Sequence, residues 1–126
     1  MLDDLLLLII SSPSGAGKTT LTRDLLGHFP ELTFSVSHTT RNPRPNEKAG
    51  SDYHFVDRSS FDALVSEQAF VEWAEVHGNC YGTSTAEIER ARREHKRGVV
   101  FDIDYQGARQ IKAVRPDAVS VFVLPP

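Results

Sequence analysis

The sequence has one cysteine, no excess of positive charge and no long apolar run. Cys80 alone cannot form a disulfide within the chain, and no spacing of Cys and His suggests a zinc site. The 14 Lys and Arg residues against 17 Asp and Glu give a formal net charge of −3, so an anion site must be local. The apolar run at residues 5–10 is too short to cross a bilayer. These absences favour a cytoplasmic protein with no nucleic-acid or membrane partner, and they leave its oligomeric state open.

What the sequence does contain is the composition of a packed globular protein. Of its 126 residues, 40% are hydrophobic and 25% are charged, which is enough for one domain with a core and argues against disorder. The run at 5–10 has no alternation and predicts a parallel strand buried on both faces. A turn of small residues follows, and then a helix that should end near Gly27 and His28, because Pro30 cannot continue it.

The middle of the chain changes to short β-prone stretches separated by turn-rich segments. These stretches lie at residues 34–39, 53–56 and 70–77. One helix is expected at 59–67, with Asp57 or Ser59 as its N-cap. The pattern predicts a small, mostly antiparallel lobe.

The last third of the chain returns to an alternation of helix and strand. A helix is expected at 87–96, because Ser84 and Glu87 have the spacing of a capping box and Gly98 can end it. The elements expected after it are a strand at 99–104, a helix at 105–114 and a strand at 118–124. Such an alternation predicts a parallel sheet with right-handed crossovers.

The turn after the first strand matches the phosphate-binding loop pattern at seven of eight positions, with Ser12 in place of its first glycine. Its residues are Ser12, Pro13, Ser14, Gly15, Ala16, Gly17, Lys18 and Thr19. Small residues let backbone N–H groups surround an anion at a helix N-terminus. Lys18 would reach the β- and γ-phosphates of ATP, and the Thr19 hydroxyl would bind Mg²⁺. The alternative is a glycine-rich connection without a ligand.

Two arginines, Arg41 and Arg44, lie three residues apart in a turn stiffened by proline. Rigid guanidinium groups suit a monophosphate better than lysines do. Taken alone, such a turn is more commonly a solvated surface loop. Beside a phosphate loop, it favours a second anion site.

Several segments together resemble the guanylate kinase family in order and spacing. They lie at residues 35–47, 50–55, 70–74, 78–83 and 102–107, so the resemblance extends from the phosphate loop to the final Pro-Pro. It implies transfer of a phosphoryl group from ATP to GMP, giving ADP and GDP in purine nucleotide metabolism, with Mg²⁺ as cofactor. ATP and GMP are the partners that it implies.

The resemblance also implies roles for individual residues. It places Arg41, Arg44, Tyr53 and Tyr81 around the GMP phosphate, and Ser37, Glu72 and Thr83 at the guanine edge. It adds Glu47, Asp102 and Asp104 to the GMP site and assigns catalysis to Lys18, Arg41, Arg44 and Asp102, with Asp102 also near Mg²⁺ through water. A carboxylate can accept from guanine N1–H and the exocyclic amine, so we expect Glu72 to select the base. As alternatives, the tyrosines are packing aromatics and Glu72 is a surface carboxylate.

Asp102 and Asp104 are two residues apart on the strand predicted at 99–104. Both side chains should therefore project from one face at its C-terminal end, where open α/β sheets bind ligands. The alternative for Asp104 is a cap of the following helix.

Taken together, the sequence predicts an α/β fold, a P-loop NTPase-type parallel sheet with helices that carries an inserted small β-rich GMP-binding lobe. Residues 1–126 form one guanylate-kinase-like domain: 1–33 and 98–126 are its P-loop core, and 34–97 are the lobe and a connecting helix. Members of the family continue into a lid with further arginines, so we expect these 126 residues to be incomplete, to bind nucleotides weakly and to turn over poorly. The competing hypotheses are a non-catalytic, guanylate-kinase-like protein-interaction module and a P-loop kinase for another base.

Overall fold

The computed structural model describes residues 4–11 and 18–124, and of Lys18 and Thr19 only the backbone. The elements, in chain order, are β1 (Leu6–Ser11), α1 (Lys18–His28), β2 (Leu32–Phe34), β3 (His38–Thr39), β4 (His54–Phe55), α2 (Arg58–Ser66), β5 (Phe70–Val76), β6 (Asn79–Ser84), α3 (Thr85–Arg93), β7 (Gly98–Asp102), α4 (Tyr105–Val114) and β8 (Val119–Phe122). They form two four-stranded sheets with helices, which confirms the predicted α/β fold with a β-rich lobe.

The first sheet is parallel throughout, with the order β2-β7-β1-β8. Ile9 of β1 and Phe101 of β7 are paired and fully buried, and they join Ile88 of α3 and Ile111 of α4 in one core cluster. On the other face, Ile10 of β1 and Val100 of β7 are equally buried, whereas Leu8 is half-buried and Leu6, at the start of β1, is 40% exposed. Burial of both faces of β7 and of the end of β1 explains why these strand sequences show no alternation.

The second sheet has the order β4-β3-β6-β5 and is mostly antiparallel, as predicted. β5 and β6 form a hairpin whose two turn residues, His77 and Gly78, both have positive φ (51° and 82°). That geometry fits a type I′ turn, which matches the twist of the flanking strands. The sequence analysis predicted β5 but not β6, because Asn79–Ser84 holds a glycine and no aliphatic side chain.

The two faces of this second sheet differ in character. On one face, Phe61 of α2 is fully buried, with its ring centroid 4.8 Å from that of Phe70 and 6.2 Å from that of Trp73. A Cβ at Gly82 would lie 2.9 Å from the Phe70 ring, so only glycine leaves room for this packing. Asp57 caps α2 by accepting from Ser60 N at 2.7 Å, as predicted. This face is the small core that holds the lobe together.

Two details differ from the sequence prediction. The β-prone stretch at 34–39 is divided: β2 (Leu32–Phe34) belongs to the parallel sheet, and β3 (His38–Thr39) belongs to the lobe. The capping box was wrong, because the Ser84 side chain makes no cap hydrogen bond and the Glu87 carboxylate is used elsewhere. Both differences arise from long-range pairing, which a local pattern does not contain.

Glu87 instead holds the segment that crosses from the parallel sheet to the lobe. Its Oε1 accepts from Val36 N at 2.7 Å and from Arg90 Nη2 at 3.2 Å, and Arg90 also donates to the carbonyl of Phe34 at 2.9 Å. His54 Nε2 lies 3.8 Å from the other carboxylate oxygen. Helix α3 therefore fixes the crossing by charge-assisted hydrogen bonds from a carboxylate that is 7% exposed.

Replacing Glu87 by alanine should destabilise the protein by about 2 kcal/mol, because Val36 N–H and the Arg90 guanidinium lose a buried acceptor. Urea unfolding measures this change. Glu89→Ala on the same helix is the control, since Glu89 is exposed and its ion pair with Arg92 should be worth less than about 1 kcal/mol. Equal effects of the two substitutions would contradict the role of Glu87.

Candidate functional site

The carboxyl ends of β1 and β7 meet at one edge of the parallel sheet, where Ile10 pairs with Asp102. β1 ends at Ser11 and α1 begins at Lys18. Residues 12–17 and the side chains of Lys18 and Thr19 lie outside the described residues, so their predicted phosphate contacts stay predictions. The described frame is a strand followed by a helix, as the phosphate-loop hypothesis requires.

Glu72 of β5 and Thr83 of β6 are paired in the hairpin register, and their side chains meet. Thr83 Oγ1 donates to Glu72 Oε1 at 2.6 Å. Glu72 is 4% exposed and Thr83 is fully buried. Tyr81, two residues before Thr83 on β6, lies on the same face. We call this face, with Glu72, Thr83 and Tyr81, the recognition face; it is opposite the Phe61 side of the sheet.

The Glu72 carboxyl is strongly perturbed. Its pKa is raised to about 7: burial is the largest cause and the nearby charge of Asp104 adds to the rise, whereas hydrogen bonds from the Thr83 side chain and backbone act in the opposite direction. The neutral donors of this one residue leave the charge of a buried carboxylate poorly compensated. Glu72 is therefore poised to accept hydrogen bonds from a ligand that carries donors.

Arg41 and Glu47 form a bidentate pair in the turn after β3. Arg41 Nη1 and Nη2 donate to the two carboxylate oxygens at 3.0 and 2.8 Å, and Glu47 Oε1 also accepts from Arg44 N at 2.8 Å. The hydrogen bond with Arg41 lowers the pKa of Glu47, and the same bond raises the pKa of Arg41. Glu47 thus fixes the direction of the Arg41 fork.

Aromatic rings extend this cluster toward the recognition face. The Arg41 guanidinium lies 5.1 Å from the centroid of the Tyr53 ring, and the Tyr53 and Tyr81 centroids are 6.2 Å apart. Burial raises the pKa of Tyr53 and the charge of Asp102 adds to the rise, whereas the hydrogen bond with Arg41 lowers it. Three of the predicted residues, namely Arg41, Tyr53 and Tyr81, therefore come together, and the charge of Asp102 acts on Tyr53.

Arg44 and Ser37 differ from this cluster in their surroundings. The Arg44 side chain is exposed, and only its backbone N–H joins the contacts of Glu47. Ser37 is 8% exposed and lies just before β3, where its carbonyl accepts from His54 N at 2.8 Å. Ser37 is therefore fixed by backbone bonding, whereas Arg44 is exposed to solvent on its turn.

Asp104 does not lie on a strand, so its predicted projection beside Asp102 was wrong. β7 ends at Asp102, and Asp104 is the N-cap of α4, where its Oδ1 accepts from Gly107 N at 3.1 Å. The cap satisfies a helix N–H that would otherwise have no intrahelical partner. Gly107, to which the sequence analysis assigned no role, lies directly against the Glu72 carboxylate.

Other types of site find little support in the described parts of the chain. In them, no group of three His, Cys, Asp or Glu side chains is arranged to hold a metal ion. No helix there has both the length and the apolar character needed to cross a membrane.

Comparison with known proteins identifies relatives of this chain. A family model described as "Guanylate kinase" matches residues 5–126. A guanylate kinase of Syntrophotalea carbinolica is 52% identical over 121 residues, which are 96% of this chain and 57% of that protein. One of Rhodopseudomonas palustris is 55% identical over 122 residues, which are 96% of this chain and 55% of that protein. The chain thus spans little more than half the length of these relatives.

A solved structure gives the same answer for the fold. The crystal structure of guanylate kinase from Anaplasma phagocytophilum superposes with a TM-score of 0.82 at 36% sequence identity. The match covers 99% of this chain and 63% of that one. Both sheets described above are therefore features of a known architecture.

Glu72→Gln should stabilise the protein at pH 8 by about 2 to 3 kcal/mol. The folded carboxyl has a pKa of about 7 against an ordinary value of 4.5, so between these values the folded state holds a proton that the unfolded state has released. Stability from this group therefore falls as pH rises from 4.5 to 7, and glutamine removes that loss.

Thermal unfolding of both proteins at pH 4.5, 6 and 8 measures this difference. The advantage of Glu72→Gln should be absent at the lowest pH and largest at the highest. An advantage that does not change with pH would mean that Glu72 titrates normally.

Proposed function

The chain belongs to the guanylate kinase family, and we propose on that basis that it binds GMP and the phosphates of ATP for phosphoryl transfer from ATP to GMP. We propose that different segments of the chain bind the two nucleotides. Residues 34–97 act as the GMP-binding lobe with its connecting helix, and residues 1–33 and 98–126 act as the ATP-binding core. The setting that we propose is cytoplasmic purine nucleotide metabolism.

The observation that carries the proposal is the buried Glu72 carboxylate beside Thr83. The guanine edge offers two adjacent donors, N1–H and the exocyclic amine, which fit one carboxylate. Adenine offers an acceptor at N1, which would face the carboxylate without a hydrogen bond. We propose that Glu72 selects guanine in this way, with Ser37 and Thr83 as the other base contacts.

We propose that the GMP phosphate binds beside the recognition face, where Arg41, Tyr53 and Tyr81 are already assembled. The guanidinium groups of Arg41 and Arg44 would supply positive charge, and the two phenolic hydroxyls would donate directional hydrogen bonds to the phosphate. Glu47 contributes to the GMP site indirectly, because its bidentate bond orients Arg41. We propose that Asp102 and Asp104 border this site from the core, because the charge of Asp102 acts on Tyr53 and that of Asp104 acts on Glu72.

For ATP, we propose that the backbone of Ser12 to Gly17 surrounds the phosphates and that Lys18 reaches the β- and γ-phosphates. Mg²⁺ would be held by the nucleotide with Thr19, and with Asp102 through water, and it would neutralise charge on the transferring group. Among the described residues, Asp102 fits such a role, because it supplies a carboxylate, a ligand type that Mg²⁺ prefers, at the carboxyl end of β7.

The chemistry that we propose needs positioning more than covalent help. An oxygen of the GMP phosphate attacks the γ-phosphorus of ATP in line with the bond to the departing ADP. Lys18 holds the donor and the two arginines hold the acceptor, so no protein nucleophile is required. Closure of the lobe over GMP would exclude water from the γ-phosphate.

Binding and turnover need separate tests, because the chain spans 57% and 55% of two similar relatives. We expect poor turnover by these 126 residues alone. A guanylate-kinase-like interaction module would bind a peptide and show no affinity for ATP or GMP. A kinase for another base would bind AMP or another monophosphate more tightly than GMP.

GMP should bind the chain more tightly than AMP, and Glu72→Gln should weaken GMP binding by about ten- to a hundredfold while AMP binding changes little. The physical reason is that glutamine presents a donor to the donors of guanine. Isothermal calorimetry at pH 8 measures both ligands. Glu75→Gln is the control, since Glu75 is an exposed carboxylate three residues along the same strand. Unchanged GMP affinity in Glu72→Gln would overturn the assignment.

GMP binding should also weaken by about tenfold between pH 8 and pH 6, because only ionised Glu72 accepts both guanine donors and its pKa is about 7. The charge of Asp104 acts on the same carboxyl and raises its pKa. The GMP phosphate titrates in the same range, near pH 6. Glu72→Gln removes the contribution of Glu72 to the pH dependence and leaves that of the GMP phosphate. The GMP affinity of this variant should therefore fall clearly less between pH 8 and pH 6 than that of the unmodified chain. Parallel pH profiles would contradict a titrating Glu72.

A further inference from the structure

Helix α4 of the core lies against β5, the edge strand of the lobe that carries Glu72. Gly107 and Gln110 are three residues apart on α4 and so share one face of the helix. Both contact β5, one at Glu72 and the other at Trp73. The core therefore touches the strand that carries the proposed base-selecting carboxylate at two consecutive residues.

Gln110 bonds to the backbone of β5 as a neighbouring strand would. Its Nε2 donates to the carbonyl of Trp73 at 2.7 Å, and its Oε1 accepts from Trp73 N at 3.1 Å. The two bonds satisfy the outward-facing peptide groups at this position of an edge strand. They also oppose sliding of β5 along its axis and rotation about that axis. Because both bonded groups belong to Trp73, this restraint acts on the residue next to Glu72.

Gly107 leaves the space in which the Glu72 carboxylate lies. A Cβ placed there would be 2.5 Å from Glu72 Oε2 and 3.1 Å from its Cδ. It would also be 3.1 Å from Ile103 Cδ1, so the added carbon has little room to move away from the carboxylate. Asp104 accepts from Gly107 N at 3.1 Å and holds this turn of α4 in place.

We propose that Gly107 and Gln110 are positioning residues for base recognition: they hold β5 and its Glu72 carboxylate in the place that guanine needs. The inference rests on the proposed function, because it deepens the role of Glu72. On this account, base selection depends on the docking of a core helix onto the lobe, and neither residue touches the nucleotide.

Gly107→Ala is the direct test. An added methyl displaces the carboxylate, so GMP affinity should fall by about tenfold or more. The preference for GMP over IMP, which lacks the exocyclic amine, should also narrow, whereas ATP affinity should not change. Gly27→Ala in α1 is the matched control, because a Cβ there meets nothing within 4 Å. Calorimetry with GMP, IMP and ATP measures all three proteins.

Stability gives an independent readout of the same contact. Without a clash, Ala at either helix position should stabilise the protein, since alanine favours helix over glycine. We expect a higher melting temperature for Gly27→Ala and a lower one for Gly107→Ala. Glu72→Asp shortens the carboxylate side chain, so adding it to Gly107→Ala should restore part of the lost melting temperature. A double-mutant cycle quantifies this coupling.

Gln110→Met keeps the length of the side chain and removes both bonds to Trp73. It should lower GMP affinity and narrow the preference for GMP over IMP without a change in ATP affinity. Wild-type values for all ligands in both Gly107→Ala and Gln110→Met would overturn the inference. The inference would also be overturned if the variants lost equal affinity for GMP and IMP and if adding Glu72→Asp restored no stability. If the unmodified chain binds no GMP, the proposed function fails instead, and the double-mutant cycle still tests the contact.

Discussion

A carboxylate that is 4% exposed is costly unless its oxygens find donors, and Glu72 has one neutral donor among the described side chains, the hydroxyl of Thr83. Much of the described site is arranged around this group. The hairpin register places Thr83 opposite it, and α4 brings Gly107 against it from the core. The rise of its pKa to about 7 follows from this poor compensation, because burial favours the neutral form of the carboxyl. A ligand with two adjacent donors would supply the missing compensation.

The lobe separates stability from recognition by using the two faces of one sheet. Phe61, Phe70 and Trp73 form its packed side, and Glu72, Thr83 and Tyr81 form the other. Changes on the recognition face can therefore alter binding without removing the lobe's core. The net charge of the whole chain is −3, but the local arrangement is different. Glu47 orients the Arg41 guanidinium, which lies over the ring of Tyr53. An anion site built in this way needs no positive net charge.

Local patterns in the sequence predicted the elements whose causes are local. The apolar run of β1, the end of α1 at His28 and the Asp57 cap of α2 each depend on neighbours along the chain, and each is confirmed. Glu87 had the spacing of a capping box, yet its best partner is Val36 N–H, 51 residues away. Asp104 followed strand-like residues but caps a helix, because the strand ends at Asp102. A distant partner decided the first case, and a local helix cap decided the second.

The site could be predicted only as a set of residues. The family resemblance implied site roles for Arg41, Tyr53, Tyr81 and Glu72. It did not imply that Glu47 accepts hydrogen bonds from Arg41 or that Gly107 lies against Glu72. The contact of Gly107 with Glu72 depends on how helix and lobe are placed in space, and that of Glu47 with Arg41 depends on how the turn after β3 folds back on itself. The perturbed pKa of Glu72 has the same origin, since it follows from burial and from the charge of Asp104 on another element.

The ionisation of Glu72 is open to direct measurement through the carboxyl carbon shift of the labelled side chain, followed against pH by NMR. The free protein should show a midpoint near 7, and saturation with GMP should lower that midpoint, because guanine donors stabilise the ionised form. Saturation with AMP should not lower it. A midpoint near 4.5 in the free protein, or one that GMP leaves unchanged, would contradict the place given to this carboxylate in the structure.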